Sequence, residues 1–195
     1  MFGEGIIVGL ILGKVSGGRF ANLGRLNIRA WPFIFLAFVL QIYPMFVGKA
    51  AFVQKIQFYS YGVSYLLLFF CVILNLNQKG IWLILIGAIM NAVVIFANKM
   101  HMPISFQGLE MAGLQEMMNS IREGKILYHI SLEEARNWTR LLGKYIVIPK
   151  PYPFARVLSI GDLFMTLGLI LWIRGRMVQS IFSRRAEMLK FRYKR

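Results

Sequence analysis

Apolar positions in this chain fall into long runs, not into the strict alternation that marks half-buried strands. Met1 to Gly13, Trp31 to Gly48, Phe58 to Leu76, Ile81 to Ala97 and Val157 to Ile173 are each nearly free of charge and are separated by short polar connectors or one longer polar stretch. Several of these runs reach 17 residues or more. Runs of that length predict helices able to enter a bilayer, so the expected fold is an all-α membrane protein with about five transmembrane helices. The expected boundaries are four spans with a basic cytoplasmic connector over 1–97, an extracytoplasmic loop over 98–156, a fifth span over 157–176 and a basic amphipathic C-terminal helix over 177–195.

Detail within the runs refines this picture. The first run has no basic leader and no small-residue cleavage site, so it reads as retained and not as a signal peptide. Gly5, Gly9, Gly13 and Gly17 recur every four residues, which on a helix forms one smooth stripe open to another backbone. Pro32 sits where a helix start tolerates it, and Tyr59, Tyr61 and Tyr65 gather towards one end of the third run as an interfacial belt would. Asn91 interrupts the fourth run and suits an interhelical hydrogen bond.

The stretch from Asn98 to Arg156 is the one sizeable polar segment. Ser105 precedes an amphipathic pattern broken near Gly113, predicting one or two short helices. Ser131-Leu132-Glu133-Glu134 fits a capping box and predicts a helix through Trp138 that stops at Gly143. Tyr145 to Ile148 reads as a short strand or apolar anchor. Pro149, Pro151 and Pro153 then hold the chain extended.

Charge changes the picture next. The net charge is +15 and the hydrophobic content 57%, too apolar for an ordinary soluble domain and basic enough to favour an anionic partner. The first such partner is an anionic lipid surface, ahead of nucleic acid. The connector (Lys14, Arg19, Arg25, Arg29), Lys79 and the tail together outweigh the opposite side in a five-span arrangement. This predicts the N-terminus and the 98–156 loop outside and the C-terminus in the cytoplasm. Arg174, Arg176, Arg184, Arg185, Lys190 and Arg192 are the expected contacts to anionic head groups. A membrane-protein partner or a second copy of the chain is expected as well.

Candidate chemistry is sparse. The lone Cys71 allows no intrachain disulfide, and no nucleotide loop, serine elbow or histidine-glutamate zinc spacing occurs. No cofactor, metal or catalytic residue is therefore expected. Asp162 stands out, as a carboxylate inside the fifth run about 18 Å of helix from Arg174. Ser159-Ile160-Gly161-Asp162 also fits a capping box, so Asp162 is either a helix cap or a cap that additionally lines a ligand or ion site. Ser159, Arg156 and Tyr152, with His101 and Asn98, are the polar residues that would converge with it on an outward-facing cavity if the two helix ends are adjacent, and Asn91 inside the fourth run is a further ligand candidate.

At these residues the chain resembles a known family. Asn98 with Met102-Pro103-Ile104-Ser105, Leu142-Gly143 ahead of a short apolar run ending at Pro149, Ser159-Ile160-Gly161-Asp162, and Gly17-Gly18-Arg19 are similar to the bacterial domain-of-unknown-function family 5317 of short multi-pass membrane proteins. Lys144 occupies the position where the family's usual Leu-Gly-Asp carries a carboxylate, so no carboxylate role transfers there. The resemblance implies a bacterial plasma membrane and adds no activity and no catalytic residue. The function expected is that of an accessory or scaffold subunit packing against partner membrane proteins. The rival is a carrier or lipid-handling protein with a polar cavity around Asp162, and a membrane-embedded hydrolase or transferase stands third.

Overall fold

The computed structural model describes residues 1–25, 28–47, 51–126 and 128–178. The chain is mainly helical, with helices α1 (Phe2–Val15), α2 (Trp31–Val47), α3 (Ala51–Leu74), α4 (Ile81–Ala97), α5 (Phe106–Met111), α6 (Gln115–Arg122) and α7 (Ile160–Val178). Among the described residues, short 3-10 helices cover Phe20–Arg25 and Asn137–Leu142, and there are four three-residue strands.

This corrects the expectation of an all-α protein with about five transmembrane helices. Among the described residues no helix is long and apolar enough to cross a membrane. The reason lies in where the helices begin and end. At about 1.5 Å per residue, α1 with 14 residues spans roughly 21 Å and α2 and α4 with 17 each roughly 26 Å, against a hydrocarbon core of about 30 Å. α3 has 24 residues, but Gln54, Lys55, Gln57 and Ser60 interrupt its first half. α7 has 19 residues, with Asp162 in its first turn and Arg174 and Arg176 near its end.

Three helices lock together through glycine. α1 runs parallel to α7: a Cβ added at Gly5 would sit 2.9 Å from the Thr166 methyl, at Gly9 3.0 Å from Ile173 Cβ, and at Gly13 3.1 Å from Met177 Cβ. α4 runs antiparallel to α7, with Gly80 and Gly87 facing Gly168 and Gly161. A Cβ at Gly161 would lie 2.7 Å from the Gly87 carbonyl, and one at Gly168 2.7 Å from the Gly80 carbonyl. Only residues without a side chain permit backbones this close. Gly17 is not part of the stripe, because α1 has ended and the residue turns the chain at φ +81° with no atom of the described residues within 4 Å of its Cβ position.

α2 and α3 form a separate antiparallel hairpin, pinned by Gln41 donating to Ser64 (3.1 Å), the Cys71 thiol donating to the Ala30 carbonyl (3.2 Å) and a Phe33 to Phe70 edge contact. Of the α2 residues from Trp31 to Val39, only Ala37 is buried.

Residues 98–158 fold into a small lobe of short helices and short strands, one of these strands, Ile146–Ile148, lying within the Tyr145 to Ile148 run read as a strand or apolar anchor. β1 (Met102–Ile104) pairs in parallel with β2 (His129–Ser131), and β3 (Ile146–Ile148) pairs antiparallel with β4 (Arg156–Leu158). α5 is capped by Ser105, whose hydroxyl accepts from the Gly108 N–H at 2.9 Å. Gly113 at φ +69° turns the chain between α5 and α6. Ile104, Leu109, Ala112, Ile121 and Val157 make the lobe's core. The helix expected to open at Ser131 does not form there. Ser131 ends β2, and the chain stays irregular until the 3-10 helix at Asn137.

Candidate functional site

β4 ends at Leu158 and α7 begins at Ile160, so the fully buried Ser159 is the junction. Its hydroxyl accepts from the Asp162 N–H at 3.0 Å, and Asp162 Oδ2 accepts from the Ser159 N–H at 3.2 Å, closing a reciprocal cap on the exposed amides of α7. A second helix joins this cap. Ser159 Oγ donates to Asn91 Oδ1 at 2.8 Å, and Asn91 Nδ2 donates to Asp162 Oδ1 at 2.9 Å, with Met165 Sδ at 3.7 Å. Both carboxylate oxygens therefore accept hydrogen bonds at the positive end of the α7 dipole, where a negative charge is favoured. Gly161 and Gly87 bring α4 near enough for the Asn91 amide to reach across. Chemically this is a closed ring of donors and acceptors on two helices.

The other candidates go elsewhere. Asn98 is buried at the end of α4, where its amide donates to the Val94 carbonyl (2.8 Å) and to Thr139 Oγ1 (3.0 Å), and its Oδ1 accepts from the Arg136 N–H (3.1 Å). It ties α4 to the 3-10 helix of the lobe. His101 Nδ1 lies 3.1 Å from the Asn98 carbonyl. Arg156 pairs with Glu4 at the start of α1, and Tyr152 donates to the same Glu4 oxygen at 2.7 Å. That bond raises the Tyr152 pKa, since ionising the phenol would lose the bond and set two negative charges together. The structure thus brings Asp162, Ser159 and Asn91 into one network and holds Asn98 with His101, and Arg156, in two others. Arg174 is exposed and donates to Ser16 Oγ at 3.0 Å, and Arg176 is half-buried. Arg184, Arg185, Lys190 and Arg192, with the helix expected over 177–195 beyond Val178, lie outside the described residues.

Three features escaped the sequence reading. Glu4, a lone carboxylate in an apolar helix, asks for a counter-charge; it pairs with the Met1 ammonium three residues away and with Arg156, 152 positions away. The seven-residue spacing of Gly80 with Gly87 and of Gly161 with Gly168 was a visible signal for a close helix pair. His129 sits 3.4 Å from the Lys144 ammonium through Nε2. Burial first, then the positive charges of Lys144 and His101, push its pKa down to about 4. His129 is therefore neutral at pH 7.

Among the described residues no group of three or more His, Cys, Asp and Glu side chains could hold a metal ion. An open apolar groove of about 430 Å³ lies along the hairpin, lined by Trp31, Phe35, Phe38 and Leu68 with Gln41 as its polar member.

A family model described as a family of unknown function, DUF5317, matches residues 25–174. A protein of Thermotoga maritima described only as uncharacterized is 25% identical over 166 residues, covering 85% of this chain and 86% of that protein. No solved structure matches the chain.

Proposed function

We propose that this chain, which belongs to the family of unknown function DUF5317, is a non-catalytic accessory or scaffold subunit that packs its uncovered apolar helix faces against a partner protein. The observation that carries the reading is α2. Trp31, Phe35 and Phe38 are 64%, 66% and 61% exposed, and Phe33, Ile34, Leu36 and Val39 are exposed beside them. With 150–250 Å² per aromatic side chain, the three rings alone leave roughly 350 Å² of apolar surface, already the size of the largest patch on an ordinary monomer. α1 adds Ile7, Ile11 and Val15, and α4 adds Trp82, Ile89 and Phe96.

Accessory packing suits a chain whose polar network is internally satisfied. The Asn91, Ser159 and Asp162 groups bond one another, so they fix the relation of α4 to α7 and support an architectural role. The reading requires no helix that crosses a bilayer.

A photo-crosslinking residue at position 35, introduced into the full chain in its native host, tests this. One discrete adduct to a second protein at constant stoichiometry, lost when Phe38→Lys is added, is expected. A purified chain that stays monodisperse and monomeric in detergent-free buffer, with no adduct from position 35, would overturn it.

A further inference from the structure

Four separate segments meet at one end of the molecule. Arg19 donates its backbone N–H to the Met177 carbonyl at 3.1 Å, and Asn22 Nδ2 donates to the same oxygen at 2.7 Å. Arg174 reaches Ser16. Trp172 Nε1 donates to Gln78 Oε1 at 2.6 Å, and Lys79 Cβ is the nearest atom, at 3.4 Å, to a Cβ built on Gly175. Gln78 donates to Asn75 Oδ1 at 2.7 Å, and Asn75 exchanges hydrogen bonds with the backbone of Arg29 at 2.9 and 3.0 Å. The end of α1, the connector, the α3–α4 turn and the end of α7 are therefore one connected surface.

Its charge is of one sign. Residues 14–30, 75–80 and 172–178 contain Lys14, Arg19, Arg25, Arg29, Lys79, Arg174 and Arg176 and no Asp or Glu. Lys14, Arg19, Arg29, Lys79 and Arg174 are exposed. The acidic residues of the described chain are elsewhere. Glu4 is at the far end of α1 with Arg156, Asp162 is in the first turn of α7, and the other five are in the 98–158 lobe. From Val178 the sequence continues with six more Lys and Arg against the single Glu187.

Aromatic rings rim the same end. Phe20, Trp31 and Trp82 are 54%, 64% and 54% exposed, at the connector and at the first turns of α2 and α4. Exposed cations with tryptophan at one level, bordered by apolar helix faces, match the chemistry of a lipid head-group layer. Nucleic acid would answer the cations but would leave the bordering Ile, Leu and Val side chains uncovered. We propose that this basic end docks on an anionic lipid surface, with Lys14, Arg19, Arg29, Lys79 and Arg174 facing head-group phosphates and Trp31 and Trp82 seated beside them. The proposal shares Trp31 and Trp82 with the accessory reading but rests on the basic cluster, so loss of vesicle binding and loss of the adduct at position 35 are distinguishable outcomes.

The test is co-sedimentation of the full purified chain with vesicles of phosphatidylcholine alone and with roughly one-third phosphatidylglycerol added. Preferential binding to the anionic vesicles is expected, falling steeply with added salt as the screening length contracts. A variant carrying Lys14→Gln, Arg19→Gln, Arg29→Gln and Lys79→Gln should bind about tenfold or more weakly. A control with the same number of charges removed from the lobe, at Arg122, Lys125, Arg140 and Lys150, should bind like the parent chain. Circular dichroism of both variants keeps misfolding separate from lost docking. Equal binding to neutral and anionic vesicles, equal losses in the two variants, or displacement of the chain from vesicles by substoichiometric single-stranded RNA would each overturn the proposal.

Discussion

The α1, α4 and α7 trio and the α2–α3 hairpin are built from similarly apolar helices, yet they hold together by different means. In the trio, Gly9, Gly87 and Gly161 let backbones touch, Gly5 and Gly13 seat the Thr166 and Met177 side chains against the α1 backbone, and one polar ring bridges α4 to α7. In the hairpin, bulky side chains such as Phe33 and Phe70 meet, while rings such as Phe35 and Phe38 stay exposed among the described residues. Close backbone approach concentrates packing in a few positions that tolerate no side chain. Side-chain packing spreads it over many positions and leaves surplus surface for something else.

The sharpest way to break this contrast is Gly161→Ala. A methyl there would collide with the Asn91 side chain and lie 2.7 Å from the Gly87 carbonyl, and backbone atoms cannot step aside cheaply. We expect a loss of about 3 kcal/mol or outright failure to fold, at the upper end of overpacking costs, read from denaturant melts. A second effect of similar size isolates the lobe from both helical regions. His129 has a folded pKa of about 4 against 6.5 in the unfolded chain, so the unfolded state binds the extra proton between those values. Stability from this group is complete above about pH 6.5 and is lost as pH falls through about 4, reaching roughly 3 kcal/mol at the acid end. Melts across that window should show the slope, and His129→Gln should flatten it.

Asn91→Leu comes next, at about 2 kcal/mol, because Ser159 Oγ loses its acceptor and Asp162 Oδ1 its donor in a buried setting. Asn91→Asp would separate bonding from size by keeping the acceptor for Ser159 while setting a second carboxylate against Asp162. If Asn91→Leu proves neutral, the polar ring is not what fixes α4 on α7. Smallest is Phe35→Lys in the hairpin, expected to change the stability of the isolated chain by about 0.5 kcal/mol or less, as at ordinary surface positions. A large loss there would show that the outer face of α2 is covered within the chain itself.

These contrasts also explain what was legible in the sequence. The apolar runs marked where α2, α4 and α7 lie, because burial and helix formation both leave a local record in hydropathy. The bounds of α4, Ile81–Ala97, are those of its run and α2 stops one residue short of its run, whereas α7 begins at Ile160, past the first residues of its run, because Ser159 caps it there. The four-residue glycine repeat could be seen, whereas its partner face of Thr166, Ile173 and Met177 could not, since hydropathy says nothing about which helix lies opposite. Asp162 and Ser159 are three apart and could be read as a pair. Their third member, Asn91, sits 71 positions from Asp162. Pairings over such distances, including Glu4 with Arg156, follow from topology and leave no trace in local spacing.

The junction at Ser159 has a mechanical meaning. One buried residue separates strand β4 from helix α7, and its side chain is bonded to both α4 and α7. No slack loop exists there to absorb motion, so the lobe and the helix behave as a plate welded to a shaft. A load that tilts the lobe turns α7 with it, and the glycine contacts pass that rotation on to α1 and α4.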